Sequence, residues 1–242
     1  MITAQLPLGV QLRDRPDFDS YYAGPNRDVV GALYEIASGH SSGLYLYGSH
    51  GQGKSHLLQA CGHAADRASR SSVYLPLAEL ASAGPEALAG YESRQLICLD
   101  DIDAVVAQRD WAVALLRLLD RRRTDQLPIL VAANCALERL PCAFEDLRSR
   151  LAVLAVYGLR PLDDLNRANL LAERMRGRGL KMPEEVARFL LARLPRDTGT
   201  LIDAVDQLDA ASLSAKRRLT IPFVQSVLHA LLPPPTSRTA DH

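Results

Sequence analysis

The chain has no surplus of charge: its 28 basic and 28 acidic residues cancel over 242 positions. That balance argues against a dedicated nucleic-acid binder held by bulk electrostatics. No strong direct contact with DNA is expected, although a local basic patch is compatible with neutrality. No run approaches the roughly 18 apolar residues of a membrane-spanning helix, and no charged-then-apolar leader opens the sequence. A soluble cytoplasmic protein is expected. Cysteine is scarce, with Cys61, Cys98, Cys135 and Cys142 standing alone among apolar neighbours and never as C-x-x-C. Buried free thiols fit that pattern better than a metal site. The six histidines show no ligand spacing, and there are no internal repeats.

What is present is more telling. Hydrophobic residues make up 48% of the chain, enough to bury the core of one large domain or two modest ones. Gly48-Ser49-His50-Gly51-Gln52-Gly53-Lys54-Ser55 fits G-x-x-x-x-G-K-S/T at every fixed position. Strand formers Leu44 to Tyr47 precede it, and His56-Leu57-Leu58 opens a helix after it. Strand, glycine loop and helix are the context this pattern needs. Gly51 and Gly53 let the backbone turn its N–H groups inward as a nest for phosphate oxygens, and the helix start adds its positive dipole end. Lys54 is placed for the β- and γ-phosphates and the Ser55 hydroxyl for Mg2+.

Further on, Leu96-Ile97-Cys98-Leu99-Asp100-Asp101 reads as a strand buried on both faces with two carboxylates at its end. Asp100 suits the outer shell of Mg2+, and Asp101 is the candidate to polarise an attacking water. Pro128 to Asn134 is a second buried strand; Asn134 would stand beside the γ-phosphate if this strand neighbours the other two. Val153 to Val156 gives another. Alternating strands and helices indicate a three-layer α/β domain with a parallel sheet.

Between these, Asn26 is expected to cap a helix over residues 27–38 with Val30, Leu33, Tyr34 and Ala37 on its apolar face. Phe18, Tyr21 and Tyr22 either wall an adenine or belong to the core. A helix over residues 111–122 ends in Arg121-Arg122-Arg123, read as a solvated terminus complementing the dipole. From Arg160 the pattern is helical only. Leu165, Ala168, Leu171 and Met175 mark one face, Val186 and Leu190 a second, Leu201, Ile202 and Val205 a third, and Phe223 to Leu231 a fourth. At the other end, Gln5-Leu6-Pro7-Leu8-Gly9-Val10 can bind extended, with Gln5 hydrogen-bonding and Leu6, Leu8 and Val10 filling pockets.

In this order, the phosphate loop, the Asp-Asp strand, the polar strand end, Arg148-Ser149-Arg150-Leu151 and a helical lid resemble the AAA+ ATPases. Within them, the resemblance is to the DnaA/Hda type, the bacterial replication initiator and its homologous regulatory inactivator. The lid segments Pro183 to Val186, Asp206 to Asp209 and Leu219 to Val224 look like those of the Hda branch. The resemblance covers nearly the whole chain up to about Leu232. It implies an AAA+ P-loop base of α/β type over residues 13–159, an all-α lid over 160–232, a flexible tail over 1–12 and a disordered tail over 233–242. The initiator's C-terminal helix-turn-helix domain is expected to be missing.

The resemblance also implies function. Gly48 to His56, Asp100 and Asn134 would hold ADP or ATP, with Mg2+ at Ser55 and Asp100. Asp101 and Arg150 would be catalytic, Arg150 as an arginine finger offered to nucleotide on a neighbouring AAA+ subunit, with Arg148 its competitor. Gln5, Leu6, Leu8 and Val10 resemble the motif that docks on the DNA polymerase sliding clamp. Hda-type proteins stimulate ATP hydrolysis on DnaA from that clamp and are themselves at most weak ATPases. A homodimer or a hetero-oligomer with another AAA+ subunit is implied. The rival expectation is an adaptor or loader that leaves DnaA-bound ATP untouched. One departure stands out: the family's second-sensor arginine falls on Gly199, with Arg196 one turn away as a substitute.

Overall fold

The computed structural model describes residues 16–215 and 217–229. Five parallel strands form one sheet in the order β2-β3-β4-β1-β5. They are β1 (Gly43–Tyr47), β2 (Ser72–Pro76), β3 (Leu96–Asp100), β4 (Ile129–Ala133) and β5 (Ala155–Gly158). Helices α1 (Arg27–Ser38), α2 (Lys54–Arg67), α3 (Leu77–Leu80), α4 (Arg109–Thr124) and α5 (Glu145–Leu151) alternate with them. The central strands are apolar on both faces, so successive residues enter different cores. Leu44, Leu46, Cys98 and Leu130 pack with α1 and α2, whereas Tyr45, Ile97, Leu99 and Val131 pack with α4 and α5. That split is what a sheet sandwiched between two helical layers requires.

A separate bundle follows: α6 (Asp164–Gly177), α7 (Glu184–Leu191), α8 (Thr198–Ala215) and α9 (Ile221–His229). Leu171, Met175, Val186, Leu190, Leu201, Val205, Leu208 and Val224 form its own core. The fold is thus a three-layer α/β base followed by a small all-α lid. Among the described residues, no helix is long and apolar enough to cross a membrane.

Several local expectations are corrected. Asn26 does not cap α1 with its side chain. It bonds the backbone of Arg160 in both directions instead, donating from Nδ2 to the carbonyl at 3.1 Å and accepting the N–H on Oδ1 at 2.8 Å. A bidentate tie to a distant segment uses both ends of the amide, whereas a cap uses one. The buried stripe of α1 is Val29, Leu33, Ile36 and Ala37, so Val30 is only half-buried and Tyr34 is exposed. On α6 the stripe is Leu170, Leu171 and Met175, with Leu165 exposed. The last strand starts at Ala155, and Val153 is exposed.

The largest correction is Arg122. Arg121 and Arg123 do face solvent, paired loosely with Asp125 and Asp120. Arg122 is fully buried. Its terminal nitrogens donate to the carbonyls of Glu92, Arg94, Gln95 and Pro128, so one guanidinium ties the entries of β3 and β4 to the end of α4. Burial pulls its pKa down to about 10, which still leaves it charged at neutral pH. Arg122→Ala strips partners from all four carbonyls and is expected to cost about 3 kcal/mol, against under about 0.5 kcal/mol for Arg123→Ala. Urea unfolding of the two variants checks this; equal midpoints would contradict it.

Candidate functional site

Parallel strands deliver their carboxyl ends to one edge, so the turns after β1, β3 and β4 meet there. Tyr47 lies in register with Ala133, and Leu99 with Val131, which brings Gly48 level with Asn134 and places Asp100 two positions earlier along the same edge. The condition set for Asn134 is met, since β4 lies between β1 and β3.

The loop from Gly48 to Ser55 is shaped by two left-handed glycines. Gly51 has φ of 77° and Gly53 φ of 89°. A Cβ on Gly53 would stand 2.9 Å from the Tyr21 ring, and one on Gly51 would stand 3.0 Å from Asp197 Cβ. Neither place accepts a larger residue. Gly53 is also the N-cap of α2 and offers no side chain to the first turn, so the opening N–H groups face the cavity. Gln52 Oε1 is buried without a hydrogen-bond partner among the described residues. A cradle lined by unsatisfied donors, with one orphaned polar atom at its wall, fits a phosphate chain.

Lys54 is buried, and its ammonium donates to Gly48 O at 2.9 Å, Ser49 O at 3.2 Å and Asn134 Oδ1 at 2.9 Å. Burial pulls its pKa down, and Asp101, Asp100 and Asp103 pull it back up. Asn134 is held in turn: Asp103 accepts from its backbone N–H and from Nδ2, both at 2.9 Å, and Asp101 Oδ1 lies 3.4 Å from Nδ2. Asp100 is buried and accepts from the Tyr74 hydroxyl at 2.7 Å and from the Asp101 N–H at 3.0 Å. Ser55 and Gln59 also lie near the Tyr74 hydroxyl, and burial raises its pKa. The Ser55 hydroxyl and the Asp100 carboxylate thus share a neighbour, and oxygen ligands of this kind suit Mg2+.

A cavity of about 350 Å3 opens between base and lid. His50 to His56 and Asp101 line its floor, Tyr21, Tyr22 and Asn26 one wall, and Leu162, Leu170, Gly199 and Ile202 the lid side. Tyr21 and Tyr22 therefore belong to the cavity, while Phe18 is core. Gly48, Ser49, Asp100 and Asn134 stand behind the lining, reaching the cavity through Lys54 or beside Ser55. Gly199 faces the cavity as the resemblance implied, but Arg196 does not line it; it lies 3.8 Å from Asp164 at the surface. In place of a lid cation, Asp197 sits over Gly51, its carboxylate accepting the Thr200 N–H at 2.8 Å.

Arg150 is elsewhere. It projects from α5 and pairs with Asp120 of α4 at 2.8 Å, half-exposed, and it lines a different groove with Ser42, Leu127 and Val153. Arg148 is committed within the chain, to Glu145 at 2.9 Å and to the Leu140 carbonyl at 2.9 Å. Gln5, Leu6, Leu8 and Val10 lie outside the described residues. Sequence reasoning missed the roles of Tyr74, Asp103 and Asp197. Tyr74 carries a weak signal, as a polar-tipped residue of a strand two positions before its end.

Three solved structures share this architecture. Domain III of the Thermotoga maritima replication initiation protein DnaA matches with a TM-score of 0.76 at 19% identity, over 91% of this chain and 98% of that one. A DnaA bound to AMPPCP and single-stranded DNA matches at 0.72 and 20%, over 85% and 69%. AMPPCP-bound DnaA from Aquifex aeolicus matches at 0.71 and 19%, over 84% and 68%. With its P-loop, its strand order and its helical lid, the protein has the AAA+ fold of the DnaA type. Over the lid, the family model described as Hda, lid domain, matches residues 164–228.

The charges of the site set a testable balance. Burial, Asp100 and Asp103 raise the Asp101 carboxyl pKa above its unfolded value of 3.8. The folded state therefore holds this proton more tightly, and stability is lost as pH rises through the raised value. Asp101 also sits in left-handed backbone, with φ of 52°, which asparagine tolerates well. Asp101→Asn is expected to raise the melting temperature of nucleotide-free protein by about 2 °C at pH 7, with the gain shrinking near pH 4. A lower melting temperature at pH 7 would contradict this balance.

Proposed function

We propose that this protein is a regulator of replication initiation that binds the DNA polymerase sliding clamp and stimulates ATP hydrolysis on DnaA. The observation that carries the reading is the Hda lid match over residues 164–228, joined to a DnaA-type base whose Arg150 lies away from its own cavity. An arginine that cannot serve its own site is available to one held by a neighbouring subunit. Its guanidinium would stabilise charge spreading over γ-phosphoryl oxygens, an effect worth roughly 10³–10⁵ in rate for such fingers. The division of labour follows the sequence: residues 1–12 anchor to the clamp, 13–159 form the base, 160–232 the lid, and 233–242 a tail.

In its own cavity the protein would hold adenine nucleotide and Mg2+, which supply a chelated phosphate chain for the cradle to grip. Gly51 to Ser55 would donate backbone N–H groups, Lys54 would transfer its hydrogen bonds from the loop carbonyls to phosphate oxygens, and Ser55 and Asp100 would lie on the metal side. Gly199 and Asp197 on the lid favour ADP as the resident nucleotide. The Asp197 carboxylate beside Gly51, two positions before the glycine that stands where the family carries a cation, repels a third phosphate. The cavity then serves as a conformational pin between base and lid, and turnover there is slow.

The test uses ATP-loaded DnaA with clamp loaded on DNA. Wild-type protein is expected to convert DnaA-bound ATP to ADP, and Arg150→Ala to abolish the conversion, a loss of roughly 10³-fold, while still taking up nucleotide. Gln5→Ala with Leu8→Ala is expected to lose capture by the clamp. Full conversion by Arg150→Ala would overturn the reading.

A further inference from the structure

We propose that Asp120 is a positioning residue for Arg150, aiming its guanidinium from α4 at the nucleotide of the neighbouring subunit; this rests on the reading of Arg150 given above. The Arg150 Nε lies 2.8 Å from Asp120 Oδ1, and both side chains are about 40% exposed. Asp120 comes from the last turns of α4 and Arg150 from the end of α5, so the pair spans two helices rather than closing within one.

A guanidinium carries five N–H groups in a rigid plane. Asp120 Oδ1 accepts no hydrogen bond among the described residues, so the attraction is one of charge; it draws the inner edge of the plane toward α4 and leaves the four N–H groups of the terminal nitrogens. Among the described residues, these form no further ion pair. The terminal nitrogens of a guanidinium match the spacing of oxygens on a phosphoryl group. Arg148, two residues earlier, shows the contrast. Both of its terminal nitrogens donate within the chain, to Glu145 and to the Leu140 carbonyl, which anchors it there.

The second cation near Asp120 is Arg123, whose 3.8 Å contact with the same oxygen is longer than the 2.8 Å of Arg150. The groove beside Arg150 is framed by Leu119, Leu127, Leu154 and the exposed Val153. When a partner covers that groove, water leaves and the ion pair strengthens. An arginine already ordered at that moment has less rotamer freedom to lose in reaching its phosphoryl target.

Asp120→Asn keeps the shape of the side chain and removes its charge, so packing is preserved. With ATP-loaded DnaA and clamp on DNA, Asp120→Asn is expected to lower the maximal hydrolysis rate roughly three- to tenfold with no change in the half-saturating concentration of the protein. Asp120→Glu is expected to retain more than half of the rate. In the Arg150→Ala background, Asp120→Asn is expected to change nothing. A wild-type rate, or a faster one, in Asp120→Asn while Arg150→Ala is inactive would overturn the positioning role and leave Arg150 standing. A silent Arg150→Ala would remove the assignment of Arg150, and the role of Asp120 with it.

Discussion

The site depends on keeping one ammonium charged where water is scarce. The three hydrogens of Lys54 are all spent, on two carbonyls of its own loop and on Asn134. Burial alone would push the group toward neutrality; the three aspartates at and just after the end of β3 oppose that. Burial, and next the repulsion among those aspartates, raises the Asp101 carboxyl. Lysine and carboxylates therefore tolerate burial only together. Their meeting place is dictated by the sheet, because β1, β3 and β4 are adjacent and end at one edge. A phosphate chain entering the cradle would relieve the strain on both sides, giving Lys54 an anionic partner and giving a divalent cation to the acids.

The same cavity couples base to lid. Its walls come from the segment before α1, from the phosphate loop and from the start of α8. Direct bonds bridge the two domains as well: Tyr22 to Asn166 at 3.0 Å, Arg174 to the Ser20 carbonyl at 3.1 Å, and Asn26 to the Arg160 backbone. Anything seated between Tyr21 and Gly199 adds to those bridges. An occupant of the cavity would thus tie the lid to the base more firmly.

Much of this was legible in the sequence, and the reasons are physical. The glycine loop has a fixed spacing because its backbone must curl around a ligand. The strands are unbroken apolar runs because both their faces are buried. Asp100, Asp101 and Asn134 could be placed because parallel sheets bind at strand ends. What escaped were interactions between residues far apart in the chain. Arg122 looks like one of three basic residues at a helix end, yet it lies three and four positions after Leu119 and Leu118, on the buried stripe of α4, and periodicity alone points inward there. Asn26 has the chemistry of a cap, but its partner at Arg160 is set by how the chain returns after β5. Asp197 carries no local signal at all, since its place over Gly51 comes from docking of the lid.

The most direct test of the account is the uptake of adenine nucleotide by the purified full-length protein with magnesium, followed by calorimetry and by analysis of what denaturation releases. The account predicts ADP bound at one site per chain, with binding lost in Lys54→Ala. Protein that takes up neither ADP nor ATP, or Lys54→Ala that binds as wild type, would contradict it.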